Sequence, residues 1–189
     1  MKEKSGETPT SRPRNSAMTT EAILRAAQRL FAAKGYTTTG VREIAAEAGV
    51  NSALVRRYFG SKEGLLRAAI EEYLHMDDIL DSDRAGLGER VVAQLRLAET
   101  IDNPVSMMVL ATADPAARML CSDLVHERVI LPLAEWLGPP DAMARAGQLN
   151  LLWMGFMTVR EILPTKPVHE FEAQTFDWLA KATQAIVDQ

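Results

Sequence analysis

The sequence has few of the residues that build covalent or metal-based chemistry. Its single cysteine, Cys121, excludes an internal disulfide and any zinc site made of several cysteines. Only three histidines accompany it. Cys121 and His126 lie five residues apart, near one face of a predicted helix, but they fit no catalytic motif. We therefore expect no enzymatic activity, no cofactor and no metal.

Long apolar runs are also missing. The richest, residues 151–157, is far shorter than the ~20 residues that a membrane-spanning helix needs. The basic residues near the N-terminus are not followed by the apolar core of a secretory signal. A single cysteine is compatible with a reducing compartment. We expect a cytoplasmic protein without membrane contact.

The charge is distributed unevenly, although the whole chain carries only −4. Residues 1–67 contain twelve Lys and Arg against six Asp and Glu, a net charge of +6. Residues 68–189 contain nine against nineteen, a net charge of −10. A basic N-terminal third on an acidic body favours a module that binds a polyanion such as nucleic acid.

Apolar residues recur at spacings of three and four throughout, and no segment alternates as a strand does. The pattern predicts an all-α fold. We divide the chain into a disordered basic arm (1–17), a three-helix N-terminal domain (18–66) and a C-terminal helical bundle (67–189). An acidic connector is predicted at 77–88, followed by helical segments at about 89–101, 104–113, 115–137, 141–163 and 168–187.

Two short predicted helices, starting at Val41 and Ser52, flank a turn at Gly49, which is the pattern of a helix-turn-helix. Ala45 is small enough for the two helices to approach closely, and Gly49 permits a left-handed turn. Val55 and Phe59 are expected to anchor the second helix. Thr39 and Ser61 are expected to cap the helices that follow them. This arrangement leaves hydrogen-bonding side chains free to meet phosphates and base edges: Asn51, Ser52, Arg56 and Arg57.

Residues 20–66 resemble the DNA-binding domain of the tetracycline-repressor (TetR) family. The resemblance rests on the run "GYTTTGVREIAAEAGV" and on "YFGSKEGLL", which begins eight residues after it. The matching residues are Ala26, Ala27, Leu30, Phe31, Gly35, Tyr36, Thr39, Val41, Ile44, Ala45, Ala48, Gly49, Val50, Tyr58, Phe59, Lys62 and Leu65.

The resemblance implies a transcriptional regulator, usually a repressor, that binds double-stranded DNA as a homodimer on a palindromic operator. The second helix of the motif would then lie in the major groove. The residues assigned to DNA binding are Thr39, Arg42, Asn51, Ser52, Leu54, Arg56, Arg57, Tyr58 and Lys62.

Two of these positions depart from the family pattern. Leu54 replaces the usual Thr, and Arg56 replaces the usual Tyr. Arg56 can still bind phosphate or guanine, and Leu54 can only offer an apolar contact, for example to a thymine methyl. The operator sequence therefore cannot be inherited from relatives.

The C-terminal segment is rich in methionine, which adapts to irregular cavities and varied ligands. Taken as a set, its residues predict a pocket for a small lipophilic effector, although an ordinary helical core is the better explanation for any single methionine. The pocket residues assigned are Met107, Met108, Met119, Trp153, Met154, Met157 and Arg160.

The resemblance also implies that the last two helical segments form a four-helix interface with a second copy. From the residues alone, an intrachain core would explain their apolar positions as well. Three other functions remain open from the sequence: a regulator that binds a protein instead of a small ligand, a small helical enzyme, and a dimerisation module with a degenerate DNA-binding head.

Overall fold

The computed structural model describes residues 12–81, 83–97 and 104–189. Within these ranges the chain folds into helices without strands, which confirms the all-α class. The helices are α1 (Arg12–Lys34), α2 (Val41–Glu47), α3 (Ser52–Phe59), α4 (Lys62–Glu71), α5 (Asp77–Leu80), α6 (Leu87–Leu97), α7 (Pro104–Ala111), α8 (Pro115–Val125), α9 (Leu131–Leu137), α10 (Ala142–Met157), α11 (Lys166–Glu170) and α12 (Glu172–Val187). No described helix is both long and apolar enough to cross a membrane.

The first helix begins at Arg12, six residues before the predicted DNA-binding domain. Pro13 does not oppose this start, because proline is tolerated in the first turn of a helix. Once a helix has nucleated, each further residue that is fixed adds one hydrogen bond. The helix nucleated by the amphipathic part of α1 can therefore extend into the polar residues that precede it. The prediction of a disordered arm was therefore wrong from Arg12 onward, and residues 1–11 lie outside the described residues.

Helices α1 to α4 form the N-terminal bundle. The stripe that the periodicity predicted on α1 is fully buried at Ile23, Ala26 and Phe31. It packs on α2 and α4, and burial of each large side chain contributes roughly 1.5–3 kcal/mol. The buried Gln28 adds a polar tie, since its Nε2 donates to the backbone oxygen of Ala69 at 3.3 Å and to Glu72 Oε2 at 2.7 Å.

The remaining helices form the C-terminal bundle. Helices α8 and α9 are one continuous rod that widens at His126–Ile130, where the Leu131 N–H bonds to the oxygen of His126 five residues back. This π-helical turn precedes Pro132, which lacks the N–H that a regular helix would use. A second π-helical turn at Thr158–Ile162 ends α10. The connector predicted at 77–88 contains the short helix α5.

The two bundles pack directly against each other and are not separated by a linker. The predicted boundary at residue 66 falls inside α4, which packs on α1 and α3 and also on α8. The end of α1 meets α7 at Gly35, where an added Cβ would lie 3.3 Å from Leu110 Cβ. Gly35 has a φ of +84°, which favours glycine at this helix end. A single apolar core therefore continues from α1 through α4 into α7, α8, α10 and α12.

A buried arginine joins the far ends of the C-terminal helices. Arg145 is only 4% exposed, and its guanidinium donates to four backbone oxygens. The acceptors are Leu137 and Gly138 at the end of α9, Val187 at the end of α12, and Pro140 between α9 and α10. Helix C-termini leave carbonyl groups unsatisfied and carry partial negative charge, so a cation is favoured there.

Replacing Arg145 with Met should lower the free energy of unfolding by about 2–4 kcal/mol, because buried carbonyls would lose charged donors. Urea denaturation measures this change. Arg118→Met, which alters an exposed arginine on α8, is the matched control and should have little effect. Equal stability of the two variants would contradict the role of Arg145.

Candidate nucleic-acid interface

Helices α2 and α3 adopt the helix-turn-helix geometry that the sequence predicted. Gly49 has a φ of +67°, and the Val50 N–H donates to the oxygen of Ala45 at 2.9 Å. Ala45 and Val55 are buried between the helices. The turn therefore fixes the direction in which α3 presents its outer face.

Local caps fix the starts of α3 and α4. Asn51 Oδ1 accepts from the Ala53 N–H at 2.8 Å, and Ser61 Oγ accepts from the Gly64 N–H at 2.9 Å. The cap at Ser61 confirms the prediction. Asn51, which was assigned to DNA contact, thus holds the first turn of α3 with its oxygen while remaining exposed.

Thr39 does not have the position that was predicted for it. It is 1% exposed, and its hydroxyl contacts the backbone oxygens of Gly35 at 2.8 Å and Leu30 at 3.3 Å. Helix α2 is instead preceded by Gly40, without a side-chain cap. Burial removes Thr39 from the surface, so its assignment as a phosphate contact and as a cap was wrong.

A surface concavity of about 510 Å³ opens between the start of α2, the outer face of α3 and the start of α4. Three cationic side chains, Arg42, Arg56 and Lys62, line it together with the Ser52 and Ser61 hydroxyls, and no acidic residue is among its lining residues. The first turns of α3 and α4 both border it, and helix N-termini favour anions. The structure thus brings four of the predicted DNA-binding residues together: Arg42, Ser52, Arg56 and Lys62.

The other predicted positions on α3 divide into two groups. Arg57 is exposed and its guanidinium lies 6.0 Å from the centre of the Tyr58 ring. Leu54 and Tyr58 are half-buried and pack against the core, so each exposes only part of its side chain. The Tyr58 hydroxyl accepts from Ser16 Oγ at 3.2 Å, a contact with α1 that no sequence pattern indicated.

Lys62 lines the concavity and also contacts an aromatic ring. Its Nζ is 4.2 Å from the centre of the Tyr36 ring, which is a cation–π contact. Partial burial lowers the pKa of Lys62, and the negative charge of Asp114 opposes that change. Burial also raises the pKa of Tyr36, with smaller contributions from Asp114 and Glu63. Asp114 was not among the predicted residues, because nothing in a linear pattern relates it to a residue 52 positions away.

The structure brings only some of the predicted effector residues into one cluster. Met107, Met108 and Met157 are buried in the shared core, and Trp153 and Met154 pack against it. Met119 is 59% exposed on α8 and lies outside that cluster, so the structure does not support its assignment.

The polar groups of this set already have partners inside the chain. Arg160 Nη1 donates to the oxygen of Leu95 at 2.6 Å, and Arg160 Nε lies 3.2 Å from Glu161 Oε1. Trp153 Nε1 donates to Thr183 Oγ1 at 3.0 Å. A ligand would have to compete with these contacts.

An apolar surface on α10 and α12 faces outward, which we call the α10–α12 face. Leu151 is 74% exposed and Trp178 is 56% exposed, whereas Phe176 and Leu179 of α12 point inward and are buried. The intrachain core therefore accounts for one side of α12 only, and the other side stays exposed in the single chain. The face has a groove of about 540 Å³ lined by Gln148, Leu151, Leu152, Gly155, Phe156, Val159, Val168, Thr175, Trp178 and Ile186.

Two models of known protein families match this chain. Residues 23–69 match "Bacterial regulatory proteins, tetR family", and residues 85–187, more than half of the chain, match "Tetracyclin repressor-like, C-terminal domain". Fold, motif and matches define a DNA-binding transcriptional regulator rather than an enzyme. The chain belongs to the TetR family.

The curated relatives match mainly in the N-terminal region. The HTH-type transcriptional repressor Rv3405c of Mycobacterium tuberculosis is 48% identical over 50 residues, which cover 26% of this chain and 27% of that protein. The HTH-type transcriptional regulator BetI of Rhizobium meliloti is 38% identical over 86 residues, covering 43% and 42%. The chain thus matches less than half the length of these relatives.

Solved structures match over nearly the whole chain. A TetR-family regulator (SCO0857) from Streptomyces coelicolor is 29% identical with a TM-score of 0.58, covering 98% of this chain and 100% of that one. NalD from Pseudomonas aeruginosa, the secondary repressor of the MexAB-OprM efflux pump, is 18% identical with a TM-score of 0.63, covering 89% and 97%. The latter likeness shows the fold alone.

The one cysteine should be unreactive in the folded protein. Cys121 is buried, and burial raises the pKa of its thiol to about 11, whereas His126 is exposed. Because the thiolate is the nucleophile, we expect iodoacetamide to label Cys121 at pH 8 only after denaturation, as measured by mass spectrometry. Fast labelling of the native protein would contradict this, with denatured protein as the positive control.

Proposed function

We propose that the protein is a homodimeric repressor that binds a palindromic operator and releases it when a small apolar effector binds the C-terminal bundle. The DNA-binding part of this proposal is supported by the concavity at α2, α3 and α4. Arg42, Arg56 and Lys62 line it together with the N-terminal turns of α3 and α4. Cationic side chains, hydroxyl groups and helix N-termini are the groups that proteins use to contact DNA phosphates.

The contacts are assigned according to where each side chain lies. Arg42, Ser52 and Lys62 border the concavity and are assigned to the phosphate backbone. Arg56 and Arg57 are exposed on α3, the helix that a helix-turn-helix places in the major groove, and are assigned to base edges or phosphates. Asn51 is assigned to the backbone at the start of the same helix.

The dimer is assigned to the α10–α12 face. Monomeric proteins rarely leave a contiguous apolar surface of this kind in water, and a two-fold axis through it would pair the same helices of two copies. Such a dimer would present two α3 helices to half-sites about 34–36 Å apart, or a multiple of that distance.

The effector is assigned to the buried methionines Met107, Met108 and Met157, with the half-buried Met154 and Trp153 beside them. Methionine side chains can rearrange to admit a lipophilic molecule. Binding that moved α7 or α10 would reach the DNA-binding helices through α1 and α4, which pack on the same core. Operator and effector would then weaken each other's binding by the same factor.

Arg56→Ala should weaken operator binding by about 1–3 kcal/mol, because a charged, hydrogen-bonding contact to DNA would be lost. The probe is a duplex that the wild-type protein enriches from a random-sequence library, titrated by fluorescence anisotropy at several salt concentrations. The wild-type affinity should fall linearly on a log–log plot against salt.

Arg118→Ala is the control for that titration, since it removes the same charge from an exposed site on α8. Its affinity should stay close to that of the wild type. Equal losses in the two variants would contradict the role of Arg56, and failure of the wild type to enrich or bind any duplex would overturn the proposed function.

Substitution of Leu151 or Trp178 by Glu should convert the dimer to a monomer, because each would place a charge in an apolar interface against its symmetry mate. Sedimentation velocity at one fixed protein concentration measures the change. Met119→Glu places the same charge on an exposed apolar residue outside the face and should remain dimeric. A monomeric wild type, or variants that stay dimeric, would refute the assignment.

A further inference from the structure

The two helices that border the cationic concavity, α3 and α4, both begin with a capping side chain whose oxygen is occupied. Asn51 Oδ1 accepts from the Ala53 N–H at 2.8 Å, and Ser61 Oγ accepts from the Gly64 N–H at 2.9 Å. Both capping side chains nevertheless remain exposed. Ser61 lines the concavity, and Asn51 directly precedes Ser52, which lines it as well. The two caps therefore lie at the surface that is assigned to DNA.

The capping bonds determine what each side chain still offers to a ligand. Besides its oxygen, an asparagine amide has two N–H donors, and a serine hydroxyl has one O–H donor. Only the amide oxygen of Asn51 can accept from a backbone N–H, so the cap fixes the orientation of its Nδ2 group. Within the described residues, Asn51 Nδ2 and the Ser61 hydroxyl donate to no protein acceptor. Each side chain thus keeps its donors free while its oxygen serves the helix.

The backbone around Ser61 holds its hydroxyl in place. Gly60 has a φ of +73°, and the Ser61 N–H donates to the backbone oxygen of Phe59 at 2.8 Å. A Cβ on Gly64 would collide with that same oxygen, so the first turn of α4 packs directly on the end of α3. A donor that is already fixed loses little conformational freedom when a ligand binds, and such preorganisation favours binding.

We propose that Asn51 and Ser61 each make two bonds in the DNA complex: the oxygen caps its own helix, and the free donor binds a DNA phosphate oxygen. This inference rests on the proposed DNA-binding function and specifies the chemistry of that site. Phosphate oxygens are acceptors, and they complement a surface of donors and cations. Neither residue then reads sequence. In particular, Asn51 cannot bind adenine in bidentate fashion, because that contact needs the amide oxygen that the cap occupies.

Asn51→Asp and Ser61→Asp separate the cap from the donor. Aspartate caps a helix as well as asparagine or serine, and its charge is favoured at a helix N-terminus, so both variants should melt at or above the wild-type temperature. Each should bind DNA about tenfold more weakly, because a donor is replaced by a negative charge that faces phosphate. The probe is a mixed-sequence duplex of about 30 base pairs at low salt, titrated by fluorescence anisotropy.

Two further variants separate this effect from a general change of charge. Gln94→Glu makes the same amide-to-carboxylate change at an exposed position of α6, in the C-terminal bundle. It should change the affinity by less than about twofold, since exposed charges far from the contact are screened. Asn51→Gly removes the donor without adding charge and costs the helix little, so it should weaken binding about fivefold.

A second duplex of unrelated sequence tests the assignment to phosphate, because each variant should lose the same factor on both duplexes. Losses that differ between the duplexes would place the side chain at a base edge and overturn the proposal. Equal affinities of the aspartate variants and Gln94→Glu would also overturn it, as would a marked drop in their melting temperatures. If the wild type binds no duplex, the proposed function itself fails. Normal wild-type binding with unaffected variants refutes only these two contacts.

Discussion

The packing of α4 is the constraint on which the rest of the structure depends. One face of this ten-residue helix buries Leu65, Leu66, Ala69 and Ile70 completely. Those side chains serve the DNA-binding bundle and the C-terminal bundle together, because α1, α3 and α8 all pack on α4. Neither bundle could lose that helix without exposing its own core, so the two cannot move as independent bodies joined by a flexible linker.

The electrostatics follow from this shared packing. A surface that collects Arg42, Arg56 and Lys62 costs free energy through repulsion between like charges. The Tyr36 ring offsets part of that cost at Lys62, and the negative charge of Asp114 also favours that ammonium group. The acidic character of residues 68–189 therefore has a local effect at the border, besides setting the negative net charge of the C-terminal part.

Sequence reasoning worked where the physics is local. The period of the apolar residues predicted the buried stripe of α1, and Gly49 and Ser61 predicted a turn and a cap that involve only near neighbours. It failed where a side chain's surroundings come from distant segments. Thr39 reads as an exposed polar residue, yet folding of the loop after α1 turns its hydroxyl onto the backbone oxygens of Leu30 and Gly35.

In the C-terminal bundle, too, local features were predictable and contacts between distant segments were not. Helical spacing predicted that α10 and α12 are apolar, but it could not tell which side meets the chain's own core. The structure turns Phe176 inward and Trp178 outward, and it places Met119 in solvent although its neighbour in the proposed pocket, Met107, is buried. These outcomes depend on which helices pack together. A given face of a helix becomes buried only when another helix packs against it.

The sequence by itself determined the class of fold, the helix-turn-helix and the basic character of its surface, because helix periodicity, turn chemistry and net charge are properties of neighbouring residues. Only the tertiary structure decided that Arg42, Ser52, Arg56 and Lys62 share one concavity. Those juxtapositions join residues from separate helices, and packing of the shared core is what brings the helices together.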